Sequence, residues 1–182
     1  MIRNIDPTSS AEACEIPANP DRADLVYSDT AILRILRGAR TVAMVGASPN
    51  WNRPSYFVMK YLQTKGYRVI PVNPVAAGQV ILGETAVPDL ASITVPVDVV
   101  DVFRRADAVP GIVADAITLG ARIVWMQLGI RNAGAAATAE AAGLTVIQNR
   151  CMKIEFGRLS GELGWTGVNS GIITSRRRRL VA

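Results

Sequence analysis

The sequence predicts an α/β protein with a doubly wound, parallel, Rossmann-like sheet of about five strands in the order 3-2-1-4-5. Three observations carry this expectation. The apolar runs 41–45, 68–72, 97–102, 122–126 and 144–147 are near-continuous rather than alternating, with 97–102 interrupted only by Asp98 and Asp101, the pattern of strands covered on both faces. Helical patterns separate most of them, and β-α-β alternation builds a parallel sheet with right-handed crossovers. Gly38, Gly66 and Gly143 each follow a helical stretch, where a C-terminal cap belongs.

Residues 1–24 are rich in Pro, Ser, Asp and Ala and are expected to form a flexible arm. Ser28 or Asp29 caps a first helix whose apolar face is Ile32, Leu33, Ile35 and Leu36. The first strand, Thr41–Val45, leads through a small-residue loop to Pro54, which stands where a helix start tolerates proline. The helix Ser55–Lys65 carries Phe57, Val58, Tyr61 and Leu62 on one side. The second strand, Arg68–Val72, closes at Asn73-Pro74. Val80-Ile81-Leu82 is a short strand or an extended loop piece, and Pro88–Thr94 reads as a helical turn around Leu90. Strand Val97–Val102, helix Ala106–Leu119, strand Arg122–Met126, helix Ala133–Ala142 and strand Leu144–Ile147 follow, and Cys151–Leu159 is a final short helix. The Rossmann-like domain is thus expected at 25–160, and residues 161–182 form a flexible basic tail.

Composition narrows the function. With 49% hydrophobic and 19% charged residues, a sizeable core is within reach and global disorder is not expected. No apolar run approaches the length of a membrane span, and the first fifteen residues carry three acids and no apolar signal core. A cytoplasmic protein is expected. The chain has no histidine, which removes His-dependent triads and His-based zinc sites. Arg176–Arg179 supply four of the 20 basic residues, leaving sixteen against 15 acids, so the net charge of +5 is mostly a property of the tail. Nucleic acid is therefore not an expected partner of the domain; the tail either binds nucleic acid or anionic membrane or is solvated charge.

The β–α loop after the first strand is the leading site. Gly46-Ala47-Ser48 lets a ligand approach the backbone, the helix start at Pro54-Ser55 faces it with unpaired N–H groups, and Arg53 can meet a phosphate. The plain alternative is an ordinary β–α turn. The loop is neither a Walker A sequence nor GxGxxG, since Gly46 is its lone glycine. An NAD site asks for a carboxylate after the second strand, where this chain has Asn73-Pro74. The ends of two further strands face the same crevice. Phe103 covers a base or belongs to the core, Arg104 reaches a phosphate or is solvated, and Gln127-Leu128-Gly129 follows the next strand.

Together Val45-Gly46-Ala47-Ser48-Pro49, Arg53-Pro54-Ser55, Gly66–Pro74, Val100–Arg104, Trp125–Gly129 and Arg150–Glu155 resemble, in their order, the CoA-binding domain family, small proteins similar to the N-terminal nucleotide domain of the succinyl-CoA synthetase α subunit. The match runs from about Leu25 to Leu159. The resemblance implies a Rossmann-like fold and a site for coenzyme A or an acyl-CoA. On that basis Gly46, Ala47, Ser48, Arg53, Pro54 and Ser55 surround the pyrophosphate, Asn73 and Pro74 lie by the adenosine part, Val102, Phe103 and Arg104 line the opposite wall, and Gln127 and Gly129 lie toward the pantetheine arm. Asn149-Arg150-Cys151-Met152 departs from the family's aspartate-Arg-Cys-Pro; Cys151 is then either a buried small apolar residue or a thiol able to form a mixed disulfide with CoA.

The synthetase reaction passes through a phosphohistidine, and this chain has no histidine. No nucleophile–base pair is evident, and Asp98, Asp101 and Glu155 read as separate carboxylates. The expected function is non-catalytic binding of CoA or an acyl-CoA, as a carrier, sensor or partner subunit, with a homodimer as a fair assembly. The alternative is a nicotinamide-dinucleotide enzyme or redox sensor on the same fold.

Overall fold

The structure is a computed structural model and describes residues 25–161; the two terminal segments expected to be flexible lie outside the described residues. In chain order the elements are α1 (Asp29–Gly38), β1 (Thr41–Val45), α2 (Pro54–Thr64), β2 (Arg68–Val72), β3 (Val80–Ile81), β4 (Glu84–Thr85), β5 (Val99–Val102), α3 (Val109–Leu119), β6 (Ile123–Met126), α4 (Ala133–Ala141), β7 (Thr145–Ile147) and α5 (Met152–Leu159). Ser28 caps α1, its hydroxyl accepting from the Ala31 N–H at 3.2 Å.

A five-stranded sheet runs β2-β1-β5-β6-β7, all pairs parallel. Its strands are covered on both faces, as their continuous apolar composition requires. On one face Val42, Met44, Val99, Trp125 and Ile147 pack against Ile32 and Leu36 of α1, Val58, Met59 and Leu62 of α2, and Met152 of α5. On the other, Ala43, Val100, Val102, Val124 and Met126 pack against Val109, Ile112 and Val113 of α3 and Ala135, Ala136 and Ala139 of α4.

The parallel Rossmann-like class is as expected, with one correction to strand order. Counted as five parallel strands the order is 2-1-3-4-5, so β5 lies beside β1 instead of outside β2. Pro71 explains this. Its carbonyl accepts from the Val87 N–H at 2.9 Å on the outer side of β2, so its missing N–H falls on that same side. An outer neighbour would lose a ladder bond there, and proline belongs on sheet edges. Among the described residues the edge is met by a single bridge, Val72 to Val87, and the segment 80–85 forms a separate antiparallel hairpin, β3–β4.

Two smaller corrections concern helices. Pro88–Thr94 forms bends at 88–90 and a turn at 91–92 that the Ile93 N–H closes on the carbonyl of the buried Leu90 at 3.1 Å, short of a helix. In α2 the inward face is Ser55, Val58, Met59 and Leu62, and Phe57 is 46% exposed. Ser55 turns toward the β1–α2 loop, and the helical repeat carries Met59 and Leu62 inward behind it.

Candidate functional site

The carboxyl ends of β1, β2, β5 and β6 converge on one edge, the edge at which open α/β sheets bind ligands. β1 gives way to the loop at Gly46, whose N–H bonds to the Val72 carbonyl at 2.9 Å. Gly46 has φ +89°, and a Cβ there would lie 2.8 Å from the Phe103 carbonyl oxygen and 2.9 Å from Cδ of Arg104. Both the backbone angle and the close approach therefore demand glycine.

Short polar side chains hold the rest of the loop. The Ser55 hydroxyl, buried at the start of α2, accepts from the Ser48 N–H at 3.2 Å. The Ser48 hydroxyl accepts from the Asn50 N–H, and Asn50 Oδ1 accepts from the Asn52 N–H, each at 3.2 Å. Asn73 Nδ2 donates to the Ala47 carbonyl at 2.7 Å, while its Oδ1 accepts from the Val75 N–H at 3.0 Å. The ends of β1 and β2 are thereby tied, and Pro74 opens a short 3₁₀ turn. Arg53 takes the N-cap position of α2 without a side-chain cap, and Pro54 follows at N1. Among the described residues neither Arg53 nor Arg104 forms an ion pair, and both are exposed at this edge. A cavity of about 550 Å³ lies along Phe103, Arg104 and Arg105.

The other sequence-predicted residues sit differently. Phe103 is half-buried against the α1–α2–α5 core. Val102 is fully buried on the α3–α4 face, so only its backbone borders the edge. Gln127 is buried, and its Nε2 donates to Oδ1 of Asp101 at 2.8 Å. The Gly129 N–H is taken by Oδ1 of Asn149 at 2.8 Å.

Sequence reasoning missed two features. Asp101 is fully buried in β5, and its Oδ2 has no hydrogen-bond partner among the described residues. Burial pushes its carboxyl up to about 7, against the opposing effect of the Gln127 hydrogen bond. The signal was present, an acid inside an apolar strand; its register partner on β6 is Trp125, and Gln127 lies two residues further along. Trp51, 70% exposed in the β1–α2 loop, is the second; a large aromatic at a candidate ligand edge is a signal in itself. Cys151 is buried at the start of α5, and burial pushes its thiol up, the setting of an inert packing residue. The described residues hold no cluster of three His, Cys, Asp or Glu able to bind a metal, and no helix among them is long and apolar enough to cross a membrane.

A glycine-pinched β–α loop and a helix start at the carboxyl edge of a parallel sheet define a Rossmann-like architecture. Residues 40–157 match the CoA binding domain family, and the chain belongs to that family. It is 36% identical over 136 residues to the uncharacterized protein YneT of Bacillus subtilis, covering 75% of this chain and 94% of that one. Among solved structures, cell-free ID.343 from Thermus thermophilus matches with TM-score 0.71 and 37% identity over 73% of this chain and 99% of that one. A hypothetical protein from Pyrococcus horikoshii OT3 matches with TM-score 0.70 and 39% identity over 74% and 94%.

Proposed function

We propose that the protein binds coenzyme A or an acyl-CoA at the carboxyl edge of its sheet and works as a carrier, sensor or partner subunit without catalysing a reaction itself. What supports this most is the pairing of a backbone seat with exposed charge: Gly46 leaves no room for a Cβ beside Phe103, while Arg53 and Arg104 stand at the same edge without an acidic partner among the described residues. Charge-assisted hydrogen bonds to phosphate are the strong kind, and the positive end of the α2 dipole lies at the same edge. In this reading Gly46, Ala47, Ser48, Arg53, Pro54 and Ser55 surround the pyrophosphate, Asn73 and Pro74 neighbour the adenosine, Phe103 and Arg104 with the Val102 backbone form the opposite wall, and Gln127 and Gly129 lie toward the pantetheine arm. The non-catalytic part rests on the sequence, which holds no histidine and no recognisable nucleophile–base pair. The reading extends to a cytoplasmic homodimer.

Calorimetry with CoA, acetyl-CoA, NAD and NADP tests the ligand class, and native mass spectrometry tests the subunit count together with any co-purifying CoA species. Binding of CoA species in preference to both nicotinamide dinucleotides is expected. Absence of heat with CoA and acetyl-CoA at concentrations that detect micromolar affinity would falsify the reading.

A further inference from the structure

Two aromatic side chains stand beside the crevice, and the structure gives them opposite settings. Phe103 is half-buried against the α1–α2–α5 core and is committed to packing there. Trp51, in the β1–α2 loop itself, is 70% exposed. It is the most exposed aromatic residue among the described ones, with Phe57, one turn into α2, next at 46%.

The backbone that carries Trp51 is fixed. Trp51 and Asn52 are the central residues of a turn that the Arg53 N–H closes on the Asn50 carbonyl at 3.1 Å. Ser48 and Asn50 brace the same turn through the Asn50 and Asn52 N–H groups. An indole on a braced turn has only two side-chain torsions left to set, so little freedom is lost when a planar group stacks on it.

Direct hydrogen bonds join this loop to the end of β2. The Gly46 N–H bonds to the Val72 carbonyl at 2.9 Å, and Asn73 Nδ2 donates to the Ala47 carbonyl at 2.7 Å. Asn73 then caps the 3₁₀ turn Pro74–Ala76, in which Val75 is 88% exposed. A single exposed apolar side chain is ordinary on a protein surface. Here one stands on each of two segments tied together at their roots, and these are the segments assigned above to the pyrophosphate and the adenosine.

We infer that Trp51 is the stacking platform for the adenine ring of the bound CoA species, with Val75 as an apolar contact on the β2 side. The inference rests on the CoA reading of the crevice and adds the residue that recognises the base. Stacking suits so open a position, because a base offers its π-face without needing a buried hydrogen-bond partner.

The test compares the full chain with Trp51→Ala, Trp51→Leu and Trp51→Phe, by calorimetry with CoA and by tryptophan emission. Trp51→Ala is expected to bind CoA at least about fivefold more weakly, with the melting temperature unchanged. Trp51→Leu should lose as much, since it restores apolar bulk without a ring. Trp51→Phe keeps a ring and should stay within about threefold of the parent. CoA should quench the parent's emission, and the quench should vanish in Trp51→Phe; Trp125 is fully buried, with its Nε1 donating to the Arg150 carbonyl at 2.7 Å. If circular dichroism shows Trp51→Ala unfolded, the Leu and Phe variants carry the comparison. Equal CoA affinity in the parent and Trp51→Ala overturns the inference and leaves the crevice reading standing. Trp51→Leu binding as tightly as Trp51→Phe, or a quench undiminished in Trp51→Phe, also overturns it. Absence of heat with CoA in the parent overturns both.

Discussion

Two loops leave the same edge of the sheet and use their polar groups in opposite ways. After β6, the loop 127–132 is closed on itself and its neighbours. Gln127 is held by Asp101 and Gly129 by Asn149, while Asn132 bonds to Gln148 and to the Ala106 carbonyl and caps α4 through the Ala135 N–H. After β1, the loop 46–53 satisfies its own backbone with Ser48, Asn50 and Ser55, while Arg53 and Arg104 form no ion pair among the described residues and Trp51 is 70% exposed. The first loop spends its hydrogen-bonding capacity on rigidity. The second leaves charge and aromatic surface exposed on a backbone already fixed, an arrangement that would spare ordering costs to the proposed ligand.

The largest expected way to break this contrast is Gly46→Val. The side chain would meet the Phe103 carbonyl at a φ of +89°, and a loss of about 3 kcal/mol in stability is expected together with loss of CoA binding; urea denaturation and calorimetry report the two effects separately.

Asp101→Asn probes the closed side. The folded Asp101 keeps its proton to about 7, whereas the unfolded carboxyl ionises near its ordinary value of about 4. In that window the folded state binds more protons, so this group makes stability fall as pH rises from about 4 to about 7, with no further change above. Removing the ionisation should raise the variant's stability relative to the parent by about 3 kcal/mol between pH 4 and pH 8, read from denaturation curves at the two pH values. A parallel pH dependence in parent and variant would show that Asp101 ionises normally in the folded protein.

Arg53→Ala sharpens the open side. A charge-assisted phosphate contact is worth about 1.5–3 kcal/mol, so CoA should bind ten- to about a hundredfold more weakly with the melting temperature unchanged; unaltered affinity would mean that Arg53 points away from the ligand. The smallest effect belongs to Ser55→Ala, which removes the acceptor for the Ser48 N–H and should cost about 1 kcal/mol in stability, measurable by chemical denaturation.

Most elements were legible because their signals are local. Continuous apolar runs marked the five parallel strands, and glycines and prolines marked their ends. The order of the strands was not read correctly, although Pro71 carried the information. A missing N–H becomes a constraint on topology only once it is known which side of the strand it faces. The inward face of α2 was misjudged in the same way. Phe57 has the larger apolar side chain, but the bond from the Ser48 N–H to Ser55 sets the rotation of the helix.

The sequence by itself determined the α/β class, the family, and the glycine loop with its helix start, because these depend on backbone preferences and on residue order along the chain. It also determined the absence of histidine chemistry. Only the tertiary structure decided which polar groups remain available. Among the described residues Arg53 and Arg104 form no ion pair, Gln127 is tied to a buried Asp101, Arg150 and Arg158 are held by Glu155, and Val26, Leu128 and Ile154 meet along one groove. These are facts of distance between residues far apart in the chain, and no local pattern contains them.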